Sequence, residues 1–191
     1  MIKGILLAAG QSKRLKNHNK LLKKFKHKEL ILHSFKSIQK SKINQIIIVL
    51  GYQSNEIKKL IKKNKKIKFV FNKKYKYGIS SSIKAGLKKI NKKDRGFIIL
   101  QSDMPFVKTS DINKIYKSIK RKKYLVHALK YKNRIGNPIG FDISILKKFK
   151  KIKGNVGAKY LVKKLNHSTN FIKVSSEKVF KDFDKALDFR A

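Results

Sequence analysis

Short, mostly apolar runs punctuate the chain: Ile2–Ala8, Gln45–Leu50, Ile67–Phe71, Gly96–Leu100, Tyr124–Leu129 and Pro138–Phe141. Runs of this length without polar alternation read as strands buried on both faces. Between and after them lie stretches with helical spacing: Leu30–Lys40, Ser54–Lys63, Ser80–Ile90, Ser110–Lys120, Ile143–Phe149 and Val156–Leu165. In Ser54–Lys63, for example, Ile57, Leu60 and Ile61 share one face and lysines cover the rest. Strand alternating with helix predicts βαβ crossovers. The expected fold is therefore α/β, a Rossmann-like three-layer sandwich around a mostly parallel sheet. Such sheets collect ligands at the carboxyl ends of their strands, so the loops that follow strands are where chemistry is sought.

The length of 191 residues fits one domain over 1–191, and 41% hydrophobic residues can build a core. Cysteine is absent, which excludes disulfides, thiolate metal sites and cysteine nucleophiles. No stretch approaches the roughly 20 apolar residues of a spanning helix, and the N-terminus has no cleavage-site pattern, so a cytoplasmic protein with no membrane partner is expected. Charge complicates the picture. The chain carries 51 basic residues against ten acids, a formal charge of +41. A field of that size attracts polyanions, and a basic nucleic-acid-binding module on a degenerate scaffold is one reading. Yet lysines occur in nearly every segment rather than one stripe, arginine occurs five times, and no nucleic-acid motif is present. Lys, Ile, Asn and Phe also share A/T-rich codons. Solvated lysine faces are the favoured reading, with no specific nucleic-acid partner. The five histidines (His18, His27, His33, His127 and His167) lack metal-ligand spacing, and no G-x-S-x-G elbow exists.

The first post-strand loop holds Ala8, Ala9, Gly10, Gln11, Ser12, Lys13 and Arg14, with Lys20 beyond. Small residues at Ala8, Ala9 and Gly10 let backbone N–H groups approach an anion or a nucleobase. Arg14 as a fork and Lys20 as a point charge can then meet a triphosphate. The loop is neither a Walker A motif nor G-x-G-x-x-G. Ser81 and Ser82 stand at a helix start, where they can cap the helix or offer hydroxyls to a ligand. Asp103 follows the apolar run Phe97–Leu100 in a chain poor in acids. A carboxylate there suits Mg²⁺, which binds one or two carboxylates together with substrate phosphates, although Asp also caps helices.

The order of these residues carries a resemblance. Leu6-Leu7-Ala8-Ala9-Gly10-Gln11-Ser12-Lys13-Arg14-Leu15 with Lys20 resembles the L-A-A-G-x-S-x-R-M-G…K signature of nucleotidyltransferases with a GT-A-like fold. More specifically it resembles the family containing molybdenum cofactor cytidylyltransferase, with Lys16 in place of the usual Gly. Further similar segments follow in order: Gly51-Tyr52 with Glu56, then Asn72 and Tyr75 through Gly78 to Leu87, then Leu100–Pro105 around Asp103. Beyond these come Gly136-Asn137-Pro138, Gly154-Asn155-Val156-Gly157-Ala158-Lys159, and the tail Asp182–Phe189. In the Gly154 segment Asn155 and Lys159 replace the family's usual Asp and Arg.

The resemblance implies transfer of NMP from an NTP, CTP favoured, to a phosphorylated acceptor, molybdopterin favoured, with release of pyrophosphate. A sugar or polyol phosphate is the other acceptor class. Arg14, Lys20 and Asp103 are then the catalytic residues. Ala8, Ala9, Gly10, Arg14, Lys20, Ser81 and Ser82 bind nucleotide, and Asn137 and Pro138 face the acceptor. Mg²⁺ sits on Asp103 and Asp184, with Asp182 the less favoured carboxylate and a charge-balancing surface turn the other reading of that tail. A molybdoenzyme or its chaperone is the implied protein partner.

Overall fold

A computed structural model of the protein describes residues 1–12, 15 and 19–190. The chain runs β1 (Ile2–Ala8), β2 (Lys24–Phe25), β3 (Lys28–Glu29), α1 (Leu30–Gln39), β4 (Gln45–Leu50), α2 (Ser54–Leu60) and β5 (Ile67–Phe71). It continues with α3 (Ile79–Leu87), β6 (Gly96–Gln101), α4 (Thr109–Lys120), β7 (Val126–Tyr131), β8 (Arg134–Asp142), α5 (Lys159–Lys164) and β9 (Thr169–Lys173). Seven strands form one sheet in the order β5-β4-β1-β6-β8-β7-β9, and β2 pairs with β3 in a separate hairpin. All pairings in the large sheet are parallel except those of β8, which runs against both β6 and β7.

The continuous apolar runs follow from burial on both faces. Along β1, Ile2, Leu6 and Ala8 join one core while Ile5 and Leu7, with Ala9 just beyond the strand, join the other. The same alternation splits Ile46, Ile48 and Leu50 of β4 from Ile47 and Val49. The first core is closed by α1, α2 and α4 through Phe35, Ile38, Ile57, Ile112, Ile115 and Ile119. The second is closed by α3, α5 and the three-ten segment Ile143–Lys151. That is the expected three-layer sandwich. Among the described residues no helix is long and apolar enough to cross a membrane.

Several boundaries differ from the sequence reading. Ile143–Lys151 is three-ten rather than α, with Ile145 and Phe149 buried. The strand expected at Pro138–Phe141 begins at Arg134 and is antiparallel. Lys132, at φ 47°, reverses the chain straight out of β7 without the Asn-Gly signal that would have announced it. The last strand, β9, has no apolar run, since as an edge strand it buries only Thr169 fully.

His127 lies fully buried in β7. Asn170 Nδ2 donates to Ser118 Oγ at 2.7 Å, and the same oxygen lies 2.7 Å from His127 Nδ1, within hydrogen-bond distance. Burial pushes the imidazolium down to about 4, against the opposing pull of Asp142 and the Tyr124 carbonyl. Because the unfolded chain takes up this proton first, stability falls as pH drops below about 6.5 and the loss saturates near pH 4. Going from pH 7 to pH 5 costs about 2 kcal/mol from this residue. Denaturant midpoints at both pH values should show that loss in wild type and lack it in His127→Gln; equal pH dependence in the two would contradict this assignment.

Candidate active site

A cleft of about 720 Å³ opens at the carboxyl ends of β1 and β6, within the size range of small-ligand sites. Its floor is the first loop. Gln11 and Ser12 line the wall beside Ala9 and Gly10, and the Ser12 hydroxyl accepts from the Lys20 backbone N–H at 3.0 Å. Asn19 Oδ1 then accepts from Leu21 N and starts the three-ten turn Lys20–Leu22. Together these bonds deliver the Lys20 side chain into the cleft. Gly51, after β4, leaves the room needed there: a Cβ would come within 2.8 Å of the Ala9 carbonyl and 2.7 Å of Tyr75.

Lys20 Nζ lies 2.5 Å from Asp103 Oδ2 and 2.6 Å from Asp184 Oδ1. One ammonium thus bridges two carboxylates from segments distant in sequence. Asp103 is positioned by its neighbours: Ser102 Oγ donates to the Leu7 carbonyl, and Ser34 Oγ of α1 lies within hydrogen-bond distance of the Ser102 and Met104 carbonyls. Burial works against the Lys20 charge, yet Asp103 and Asp184 outweigh it and hold the ammonium above its usual range. For Asp103, burial pushes the carboxyl up, Lys20 pulls it back, and nearby Asp182 adds to the upward push. Asp103 Oδ1 is buried with no hydrogen-bond partner among the described residues. A buried, open carboxylate oxygen beside a second carboxylate is the donor set of a hard divalent cation that completes its shell with water and phosphate. Among the described residues no group of three or more His, Cys, Asp or Glu residues could hold a metal ion by itself.

The opposite wall comes from Tyr75–Ile79, Ser82, Gly154 and Asn155. Gly78 adopts φ +90°, and a Cβ on it would sit 2.4 Å from the Gly154 carbonyl. The Ser80 N–H donates to that same carbonyl at 3.1 Å, which locks the Gly154 loop onto the start of α3. Gly78 is the N-cap residue of α3, so the capping alternative for Ser81 and Ser82 falls away. Asn72 Nδ2 instead donates to both hydroxyls, at 2.9 and 3.1 Å. Ser81 Oγ then faces the Lys74 and Gly78 carbonyls and spends its proton on the turn. Ser82 Oγ donates to no acceptor among the described residues and lines the cleft.

Of the residues singled out from sequence, Ala9, Gly10, Lys20, Ser82, Asp103 and Asp184 share this cleft, and Asp182 joins them. Ala8 is buried under the loop, and Ser81 stands behind the wall. Asn137 and Pro138 are not among the residues lining the cleft; they fall in the bulge where the β7–β8 register shifts. Arg14 lies outside the described residues. Sequence reasoning missed Gln101, Tyr77 and Lys76 in the wall. It also gave no sign that Lys20 would contact the carboxylates. Gln101 follows a strand's apolar run, a signal that could have found it.

The fold and the cleft define an α/β protein with a cation-bridged carboxylate pair at the strand ends. Residues 4–169 match the family model described as the MobA-like NTP transferase domain, and the chain belongs to that family. It is 26% identical over 140 residues to the bifunctional protein GlmU of Clostridioides difficile (strain 630), covering 73% of this chain and 29% of that protein. The chain thus spans under a third of the length of the curated relatives it matches. Rv0371c from Mycobacterium tuberculosis H37Rv superposes with a TM-score of 0.86 at 20% identity, covering 99% of this chain and 95% of that one. The 4-diphosphocytidyl-2C-methyl-D-erythritol synthase of Anaerococcus prevotii superposes with a TM-score of 0.76 at 17% identity, covering 100% and 93%. These structures share the fold.

Proposed function

We propose that the chain, as one nucleotidyltransferase domain, moves a nucleoside monophosphate from an NTP to a phosphorylated acceptor and releases pyrophosphate. CTP is the favoured donor and molybdopterin the favoured acceptor. The observation that carries the reading is the bridge of Lys20 to Asp103 and Asp184 in a cleft at the strand ends. The acceptor phosphate would attack the α-phosphorus in line with the leaving pyrophosphate, so the protein's part is to position and to neutralise charge. The Gly10 loop offers small residues and backbone donors to the nucleotide, and the Ser82 hydroxyl is available to a base acceptor atom. Lys20 turns from the carboxylates toward the pyrophosphate oxygens. Arg14 is assigned beside it from the motif alone. Asp103 and Asp184 would hold Mg²⁺, which neutralises phosphate charge when bound. No residue need form a covalent intermediate.

A sugar or polyol phosphate acceptor is the second reading, favoured by the erythritol product in the name of one fold relative. The test is a screen for pyrophosphate release with Mg²⁺, pairing four NTPs with a pterin phosphate, a sugar phosphate and a polyol phosphate. CTP with the pterin phosphate is expected to be fastest. A polyol or sugar phosphate winning would move the assignment to the second reading. Salt-resistant nucleic-acid binding with no release from any pair would overturn the enzyme reading.

A further inference from the structure

The three side chains of the ion bridge arrive on three separate segments, and one ring touches all of those segments. Phe183 lies between Asp182 and Asp184 and is fully buried. Its ring meets Phe25 at 4.7 Å, Phe189 at 5.3 Å and Phe106 at 5.9 Å, each tilted edge to face. Phe25 is in β2, directly after the turn that presents Lys20, and Lys23 N donates to the Lys20 carbonyl. Phe106 belongs to the loop that carries Asp103. The Phe183 N–H donates to the Asp103 carbonyl at 3.0 Å, so the tail is joined to that loop through backbone as well as ring. Asp188 caps the other end, accepting from Asp184 N and Lys185 N at 2.9 and 2.8 Å. Around this ring the local structure is slight: the hairpin has two residues per strand and the tail has three-ten turns only. Neither could hold its shape without packing.

We propose that Phe183 is the positioning residue of the carboxylate pair. Its ring sets the spacing between Asp184 on the tail and Asp103 on the loop after β6, and anchors the Lys20 turn against both. The proposal rests on the reading of that pair as a metal site. Edge-to-face rings fix orientation as well as separation. A small divalent cation tolerates little error in ligand placement, and groups that orient the ligands typically change metal affinity by about 10–100-fold when removed.

The test is Mn²⁺ binding, followed by the EPR signal of free Mn²⁺ with and without CTP, together with steady-state kinetics. Phe183→Leu keeps apolar bulk but loses the ring contacts, and Phe189→Ala strips the half-buried outer ring as a milder version. Phe149→Leu is the control, since Phe149 is equally buried but packs on Phe97 and Phe141 in the other core. Phe183→Leu is expected to lose about tenfold or more in Mn²⁺ affinity and to lower kcat with a smaller change in KM for NTP. Phe189→Ala should shift both in the same direction by less, and Phe149→Leu should lower Tm without moving Mn²⁺ affinity. If wild type binds Mn²⁺ and the folded Phe183 and Phe189 variants bind it equally well, the positioning role is refuted while the metal reading stands. The same refutation follows if Phe149→Leu weakens Mn²⁺ as much as Phe183→Leu. If wild type binds no Mn²⁺ even with CTP, the metal reading falls and takes the positioning role with it.

Discussion

Asp103→Asn is expected to slow pyrophosphate release by about two to three orders of magnitude, the usual cost of removing one preorganised charge-stabilising group. Asn keeps the size of the side chain but cannot supply an anionic ligand to a hard cation. The fold should survive, because the loop is held by groups the change leaves alone: Ser102 to Leu7, Ser34 beside the Ser102 and Met104 carbonyls, and Phe183 N to the Asp103 carbonyl. Burial already disfavours the Asp103 charge, so removing it exposes no new desolvation cost, and Lys20 retains Asp184 as a partner. The measurement is release rate at saturating NTP and Mg²⁺, with circular dichroism to confirm folding. A folded variant working near the wild-type rate would remove Asp103 from the chemistry.

Lys20→Met should move two observables in opposite directions. Without nucleotide, the wild-type ammonium occupies the space between Asp103 and Asp184 as an internal cation. Removing it takes one positive charge from beside both carboxylates, so free Mn²⁺ should bind at least about tenfold more tightly, given the size of charge–charge energies at such distances. Turnover should nonetheless fall by about a hundredfold, because the leaving pyrophosphate loses its point charge. Replacement of the exposed Lys62, Lys63 or Lys65 should change neither, as exposed charges are screened by salt within about 10 Å. Isothermal titration with Mn²⁺ and the release assay on the same preparations decide the matter. Equal small effects from Lys20 and the surface lysines would mean that only the overall field of the protein matters.

The parts of this protein that are legible in its sequence are those governed by local pattern. Mostly apolar runs specified β1, β4 and β6, because a strand covered on both faces is apolar at nearly every position, and the edge strand β5 still carries Ile67, Phe69, Val70 and Phe71 around its exposed Lys68. The order Ala9-Gly10, Lys20 and Asp103 was readable for a related reason: in a parallel sheet every strand end delivers its loop to the same edge, so sequence position after a strand is already position in space. The edge strand β9 left no such trace, nor did the antiparallel reversal into β8, where one residue with positive φ sets the direction.

What only the tertiary structure decided is how distant segments meet. The motif suggested that Lys20 attends phosphates, but its present partners are Asp103 and Asp184, brought in by packing around Phe183 that no local pattern encodes. Ser81 and Ser82 are chemically identical neighbours, yet one spends its proton on the Lys74–Gly78 turn and the other lines the cleft. Helical geometry turns successive residues about 100° apart, and the turn happens to wrap one of those two directions. Asn137 and Pro138 matched a motif, and pairing with β7 places them in the bulge where the register of β8 shifts. Pattern along the chain determined which loops gather at the sheet edge. Burial of the Phe183 ring among Phe25, Phe106 and Phe189 determined which charges there face one another, because contacts between residues 83 and 164 positions apart depend on packing that local sequence does not specify.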